Sequence, residues 1–271
     1  MALQEIVEYR GVEGLVAAEV IADNGSEYST DTPFAVAGVA EISKTTESSS
    51  DAHYYDNIPA IIIQSNGPDT VTINASAIPL DVLAELTGQY YDPNTGAMVE
   101  EPRDPKYWAI GYITKKTNGD LVYVWRLKGT FAIPDETNQT EDNGTDANGQ
   151  TLTYTGIPTT HVFTKTNKRA KALNVDVAKN LADVSNFFDA VTTPDSLVAK
   201  TTYTLTITQA AGTTVTVKRN GVALSSGSTI SAGDELKISV TGGTITVNTS
   251  DFISGDIHVV SGNVAVVSTA S

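Results

Sequence analysis

The sequence contains no cysteine among its 271 residues. That absence excludes disulfide frameworks, thiolate metal sites and cysteine nucleophiles. Histidine is scarce too, with three residues, and no pair of them has the i, i+4 spacing of a helical zinc site. Cations are few: 17 Lys and Arg face 32 Asp and Glu, for a net charge of −15. Tight nucleic-acid binding needs clustered cations, so this balance argues against it.

Long apolar runs are also missing. The run from Pro59 to Ile63 is among the longest and is far too short to span a bilayer. Met1 to Gly14 has no basic stretch followed by an apolar one, which predicts no secretory signal. We therefore expect a soluble protein that does not engage a membrane.

Motifs that would support catalysis or cofactor binding are absent or incomplete. No glycine-rich phosphate loop follows a strand pattern. Ser50, Asp51 and His53 lie close in sequence, but no nucleophile elbow accompanies them. Asp142 to Gly149, aligned as a calcium loop, lacks an acid at both anchoring positions. The sequence predicts no enzyme, no cofactor and no metal site.

The charge is unevenly distributed along the chain. Thirteen basic and 28 acidic residues precede Lys200, whereas the rest of the chain has four of each. Both tryptophans and all tyrosines except Tyr203 also lie in the first part. With a turn-forming stretch at Thr192 to Asp195, this shift predicts a first domain over residues 1–195 and a second over 196–271.

The predicted fold class is mainly β with two short helices. In the second part, apolar and polar residues alternate over short segments, and Asn220-Gly221 predicts a type I′ hairpin. This pattern predicts a small β-sandwich. In the first part, the predicted strands cover residues 14–21, 32–42, 58–64, 70–78, 107–114, 121–131, 150–154 and 159–164. Helices are predicted over Pro79–Gly88, where proline suits the first turn and glycine the end, and over the amphipathic segment Asp176–Val191.

Two polar segments fit no packed core and are predicted to be long loops, Ser43–Asn57 and Asp135–Asn148. Polar loops of such length are often functional. The first comprises Ser43, Lys44, Thr45, Thr46, Glu47, Ser48, Ser49, Ser50, Asp51, Ala52, His53, Tyr54, Tyr55, Asp56 and Asn57.

The order of features over about 190 residues resembles the major tail proteins of long-tailed bacteriophages, the subunits of the tail tube. The similar segments are the opening strand at 9–18, the long loop ending in Tyr54-Tyr55-Asp56-Asn57, the strand and helix at 72–88, the hairpin at 108–134 with its Tyr and Trp residues and Pro134, and the closing Asn186–Val191. In the last segment, Phe187-Phe188 stands where the family more usually has a Trp-Phe pair.

The resemblance implies a tail-tube β-sandwich or barrel flanked by helix. Its subunits would form hexameric rings that stack into a hollow tube for DNA ejection, with Ser43–Asn57 as an inter-ring contact. The implied partners are further copies of the chain, other tail proteins such as the tape measure, terminator and tail-tip proteins, and phage DNA that passes without specific binding. The implied location is the virion, with the host cytoplasm during assembly. By position, residues 196–271 would be an exterior Ig-like domain.

Two alternatives remain open from the residues alone. A bacterial surface or adhesion protein would suit the threonine-rich second part, although no signal is visible. A carbohydrate-active enzyme with a β accessory module would need a carboxylate pair in a cleft, for which the sequence offers no candidate.

Overall fold

The computed structural model describes residues 6–135 and 149–270. Contacts between Cα atoms divide the chain into two compact units, the first comprising Met1–Lys179 with Asp183–Val198 and the second Asn180–Ala182 with Ala199–Ser271. The predicted Asp135–Asn148 loop and the rejected calcium segment Asp142–Gly149 lie almost wholly outside the described residues. Among the described residues, no helix is long and apolar enough to cross a membrane.

The first unit is built on β-strands and a single α-helix within the described residues. Its strands are β1 (Tyr9–Asp23), β2 (Tyr28–Thr30), β3 (Phe34–Ala35), β4 (Val39–Tyr55), β5 (Ile58–Ala75), β6 (Tyr90–Asp92), β7 (Ala97–Val99), β8 (Trp108–Lys116), β9 (Leu121–Phe131), β10 (Gln150–Gly156) and β11 (Ala172–Asp176). The helix α1 spans Leu80–Thr87 and a 3₁₀ turn spans Val177–Lys179. The mainly β class is therefore confirmed.

Nine of the described strands form one antiparallel sheet in the order β2-β1-β8-β9-β10-β5-β4, with β11 paired to β9 and β3 to β1. Strands β6 and β7 form a separate hairpin. The predicted hairpin over Asn118-Gly119 is confirmed as β8–β9, and the predicted strands at 58–64 and 70–78 merge into the single strand β5.

The main hydrophobic core lies on one face of the large sheet. Its buried residues include Trp108, Ile110, Ile73, Leu152 and Tyr154, and α1 adds Leu83 and Leu86 to the same cluster. Helix α1 is confirmed where it was predicted: Gly88 ends it in the left-handed conformation at φ 72°, and its N–H is bonded to Glu85.

The opposite face of β9 is covered by the segment that was predicted to be the second helix. The indole of Trp125 donates a hydrogen bond of 2.8 Å to the carbonyl of Phe187, and the ring of Phe188 packs 5.7 Å from that indole. The helix prediction over Asp176–Val191 is wrong, because Asn180, which belongs to the second unit, adopts a left-handed φ of 52° and donates a hydrogen bond from its side-chain amide to Asp234 of the same unit. Tertiary bonds thus override the helical periodicity.

The predicted strand at Thr159–Thr164 is also absent. The carboxylate of Asp23 holds this segment in an irregular conformation by accepting hydrogen bonds from the backbone N–H groups of Thr160 and His161, at 2.7 and 2.8 Å. Lys128 pairs with the same carboxylate at 2.5 Å. Burial raises the pKa of Asp23, but these bonds outweigh it and hold the pKa below its usual value.

The second unit contains two sheets around its own core. Its strands are β12 (Thr202–Thr208), β13 (Thr214–Arg219), β14 (Val222–Leu224), β15 (Thr229–Ser231), β16 (Glu235–Thr241), β17 (Gly243–Val247), β18 (Ser250–Phe252), β19 (Ile257–Val259) and β20 (Val264–Ala270). Five strands run in the order β15-β12-β20-β17-β18 and four in the order β14-β13-β16-β19. Leu205, Leu236, Ile238 and Val266 are buried in its core. This is the sandwich that the alternation predicted, and the Asn220-Gly221 hairpin is confirmed as β13–β14.

Candidate functional site

A long two-stranded ribbon extends from the large sheet. Strands β4 and β5 pair along their whole length, but β10, the other neighbour of β5, pairs only with Asp69–Ala75. From Ser48 to Asn66 the hairpin therefore has no third strand, and we call this segment the arm. Its turn is Asp56-Asn57, whose positive φ angles of 51° and 65° suit a type I′ turn.

Every residue of the arm is exposed, on both faces of the ribbon. Pairs in register share a face, so Asp51 with Ile63 and His53 with Ile61 lie on one face, and Ala52 with Ile62 lies on the other. Within the described part of the chain, the apolar side chains of the arm therefore stay exposed and are not buried against other residues.

That apolar surface consists of six large side chains close to the turn of the arm. The exposed fractions are 65% for Tyr54, 61% for Tyr55, 64% for Ile58, 51% for Ile61, 64% for Ile62 and 55% for Ile63. An isolated two-stranded hairpin is marginally stable in water, and exposed apolar patches of this kind mark sites of protein association. The arm is therefore the strongest candidate for an interaction surface in the described part of the chain.

A buried ion cluster fixes the root of the arm to the sheet. The carboxylate of Asp69 accepts hydrogen bonds from Arg126 at 3.2 Å and from Lys171 at 3.1 Å, and Lys171 also donates to the carbonyl of Gly67. Arg126 donates two further bonds of 3.2 Å to the hydroxyl of Tyr112. Asp69, the last residue of β5 that pairs with β10, is thus tied to Arg126 of the central strand β9, and Gly67 just beyond it is held by Lys171.

The electrostatics of this cluster favour an ionised Asp69. Burial raises the pKa of its carboxyl group, but hydrogen bonds from Lys171 and Thr46, together with the charge of Lys171, hold the pKa below its usual value. The ionised carboxylate of Asp69 holds Arg126 and Lys171 in place at the root of the arm. Protonation of Asp69 would weaken both ion pairs and with them the root of the arm.

The predicted loop Ser43–Asn57 is wrong as secondary structure, because all but its last two residues belong to β4. Its first part lies at the root of the arm, where Ser43 and Thr45 pair with Thr72 and Thr70. The remainder forms one strand of the arm. The sequence did not predict the other half of this surface, Ile58–Asn66, or the anchoring role of Asp69. A signal for the first was available, because the Tyr54–Ile58 turn is followed by a run of three isoleucines that does not alternate with polar residues.

Catalytic groupings do not assemble around these residues. Asp51 and His53 lie on one face of the arm, with Asp51 Oδ2 and His53 Nε2 4.0 Å apart, whereas Ser50 lies on the opposite face. Within residues 6–135 and 149–270, no group of three His, Asp or Glu side chains could hold a metal ion.

A family comparison agrees with the segment order described above. The model of a family described as phage tail tube protein matches residues 30–192, a stretch that contains the whole arm, its anchor and the segment covering β9. No match was found among curated proteins. The family match favours a structural virion protein over the surface protein and the carbohydrate-active enzyme. Members of the phage tail tube family are structural proteins that assemble with copies of themselves and with other tail proteins in the virion. Because the matched region exceeds half of the chain, the protein belongs to this family.

Proposed function

We propose that copies of this protein form hexameric rings that stack into a hollow tube, and that the tube conducts phage DNA during ejection. The observation that carries this proposal is the arm. A subunit that assembles with its own kind needs apolar surface that stays exposed until a neighbour covers it, and the arm supplies such surface on both faces. We propose the arm, including the predicted contact residues from Ser48 to Asn57, as the inter-ring contact.

The charge balance supports a conduit for DNA. The chain up to Ala199 has 28 acidic and 13 basic residues, so it carries the full charge of −15. Each phosphate that a lysine or arginine neutralised would strengthen DNA binding and slow its passage. An acidic tube wall would repel the DNA instead, which is what transport without specific binding requires.

The second unit is proposed as an Ig-like domain on the exterior of the tube. Its balance of four basic and four acidic residues after Ala199 fits a surface that does not face DNA. Its two-sheet sandwich supports this assignment, and its first strand, β12, pairs in parallel with its last, β20, in the interior of the five-stranded sheet.

The remaining proposed partners follow from the same role. A tube needs proteins that set its length and close its ends, so tape measure, terminator and tail-tip proteins are the proposed contacts besides further copies of the chain. Assembly would take place in the host cytoplasm. We propose no catalytic activity, cofactor or metal.

Removing the arm tests the proposed function. In the variant, Ser48–Asn66 is replaced by Asn-Gly, which closes β4 and β5 with a tight turn above the Asp69 cluster. The proposal predicts a monomer that still unfolds cooperatively on heating, with the far-UV circular dichroism lower only by the strand content of the deleted hairpin, and that forms no tubes in electron micrographs. A matched control inserts Asn-Gly at the Asn220-Gly221 turn of the second unit and should still assemble. Tubes formed by the arm-deleted chain would contradict the proposal.

A further inference from the structure

A tight turn in the first unit concentrates positive charge in an otherwise acidic chain. From Gln150 to Val175 the sequence has no Asp or Glu but has four cations, Lys165, Lys168, Arg169 and Lys171. Lys171 is bonded to Asp69 at the root of the arm. The other three lie on the segment Phe163–Arg169, which we call the basic turn.

Hydrogen bonds and a buried ring hold the basic turn in one conformation. Phe163 is buried, and its N–H donates a bond of 3.0 Å to the carbonyl of Lys168 across the turn. The carboxylate of Asp195 accepts bonds from the N–H groups of Thr164 and Lys165, each 2.8 Å long. A turn fixed in this way loses little conformational entropy when it binds a partner.

Two cations of the basic turn have no partner in the described part of the chain. Lys168 and Arg169 are exposed, and neither side chain makes a hydrogen bond or an ion pair there. Lys165 donates its bond to the neutral carbonyl of Leu197, at 2.9 Å. Asp195 contributes one carboxylate beside the turn, so the positive charges outnumber it by three to one.

An acidic face of the same unit is built from α1 and the β6–β7 hairpin. The helix contacts both strands, and the N–H of Asp104 donates a bond of 2.9 Å to the carbonyl of Gly88 at the end of the helix. Five exposed acids belong to this face: Asp81, Glu85, Glu100, Glu101 and Asp104. Their side chains make no hydrogen bond or ion pair within residues 6–135 and 149–270.

The acidic face keeps its excess of negative charge when the neighbouring cations are counted. Arg103 is the one cation in the sequence from Leu80 to Asp104, and its guanidinium donates to the carbonyl of Phe131 at 3.0 Å. Lys106, just beyond, is paired with Glu19 at 2.7 Å. A cation from outside this set would therefore find unpaired carboxylates.

Exposed apolar side chains lie beside both surfaces. Val162 directly precedes the basic turn and is exposed. Tyr90 and Val99, which face each other across β6 and β7, are exposed beside the acids. Apolar groups that exclude water around an ion pair lower the local dielectric and strengthen the attraction between its charges.

We propose that the basic turn of one copy docks on the acidic face of a second copy, with Lys168 and Arg169 placed against acids such as Glu100 and Glu101. This inference rests on the proposed function and adds to the contact of the arm without replacing it. Because turn and face are different surfaces of the same chain, the contact is head-to-tail and can repeat from copy to copy. Nucleic acid fits the turn less well, since a few cations on a chain of charge −15 bind phosphates weakly.

Charge reversal and its rescue test the docking. The double variant Lys168→Glu, Arg169→Glu should raise the critical concentration for tube assembly roughly tenfold, because attractive contacts become repulsive. Glu100→Lys with Glu101→Lys should raise it by a similar factor. A chain that carries all four changes exchanges the signs of the two surfaces and restores the net charge, so it should assemble close to the wild-type concentration.

The matched control is Lys218→Glu with Lys237→Glu. These lysines are exposed and lie opposite each other on β13 and β16 of the second unit, and their reversal changes the net charge by the same amount. The control should assemble at the wild-type concentration. All variants should keep the wild-type melting temperature, since the reversed side chains make no bond in the described part of the chain.

Three results would overturn the docking. A quadruple variant that assembles no better than either double variant is one, and a reversed basic turn that behaves like the control is another. The third is wild-type binding to duplex DNA at low salt, measured by fluorescence anisotropy, that the reversed turn loses while the quadruple variant stays impaired in assembly; the partner would then be nucleic acid. Wild-type tubes that form alongside any of these results leave the proposed function intact, whereas a wild-type chain that never forms tubes refutes both.

Discussion

Replacing the isoleucine run of the arm by threonine should raise the critical concentration for assembly. Ile61, Ile62 and Ile63 have 51%, 64% and 55% of their surface exposed in the single subunit. Fully burying an isoleucine side chain stabilises it by about 1.5–3 kcal/mol, so covering the exposed half of each would contribute roughly 1 kcal/mol. Threonine keeps one of the methyl groups and favours strands, so the arm itself should survive the change.

The triple Ile→Thr variant should therefore lose about 2 kcal/mol of assembly free energy per subunit, which corresponds to a roughly 30-fold higher critical concentration. Sedimentation of tubes against a dilution series measures that concentration. Ile257→Thr, at a site 56% exposed on β19 of the second unit, is the matched control and should change it little. A triple variant that assembles at the wild-type concentration would refute the claim that a neighbour buries the arm.

The remaining predictions concern the anchor, the division of the chain and the packing of β9. Asp69→Asn should cost about 3 kcal/mol of unfolding free energy at pH 7 by leaving buried cations without a carboxylate, as measured by urea titration. Because the pKa of Asp69 is lowered in the folded state, its contribution is complete above its ordinary pKa of about 3.9 and is lost as the pH falls through the lowered value; the acid limb of the stability curve should be shallower in the variant, and identical curves would contradict this. A chain lacking Ala199–Ser271 should fold and assemble, since the first unit has its own core; an unfolded product would show that the predicted boundary is wrong. Gly129→Ala should lower the melting temperature by several degrees, because the added Cβ would lie 2.4 Å from the Tyr154 ring, and an unchanged melting curve would contradict that packing.

The parts of the fold that could be predicted from sequence are those whose signals are local. Pro79 and Gly88 delimit α1, and Asn118-Gly119 and Asn220-Gly221 mark tight hairpins, because each needs only nearby backbone conformation. Alternation located strands of the second unit such as β13, β16 and β20, since their buried residues fall at every second position.

The arm could not be predicted in the same way. Period-two alternation reports burial on one face, and the strand from Ser48 to Tyr55 is exposed on both, so it resembled a polar loop. The helix prediction at Asp176–Val191 failed for a different reason. Asn180 donates a hydrogen bond to Asp234, and the carbonyl of Phe187 accepts one from Trp125, and both partners are more than 50 residues away in sequence. Asp69 gave no signal either, since its partners lie 57 and 102 residues further along the chain.

Electron microscopy of the concentrated purified protein tests self-assembly most directly. The account predicts hollow tubes made of stacked sixfold rings. Particles that stay monomeric at every concentration, even when supplied with preformed tube ends, would contradict it.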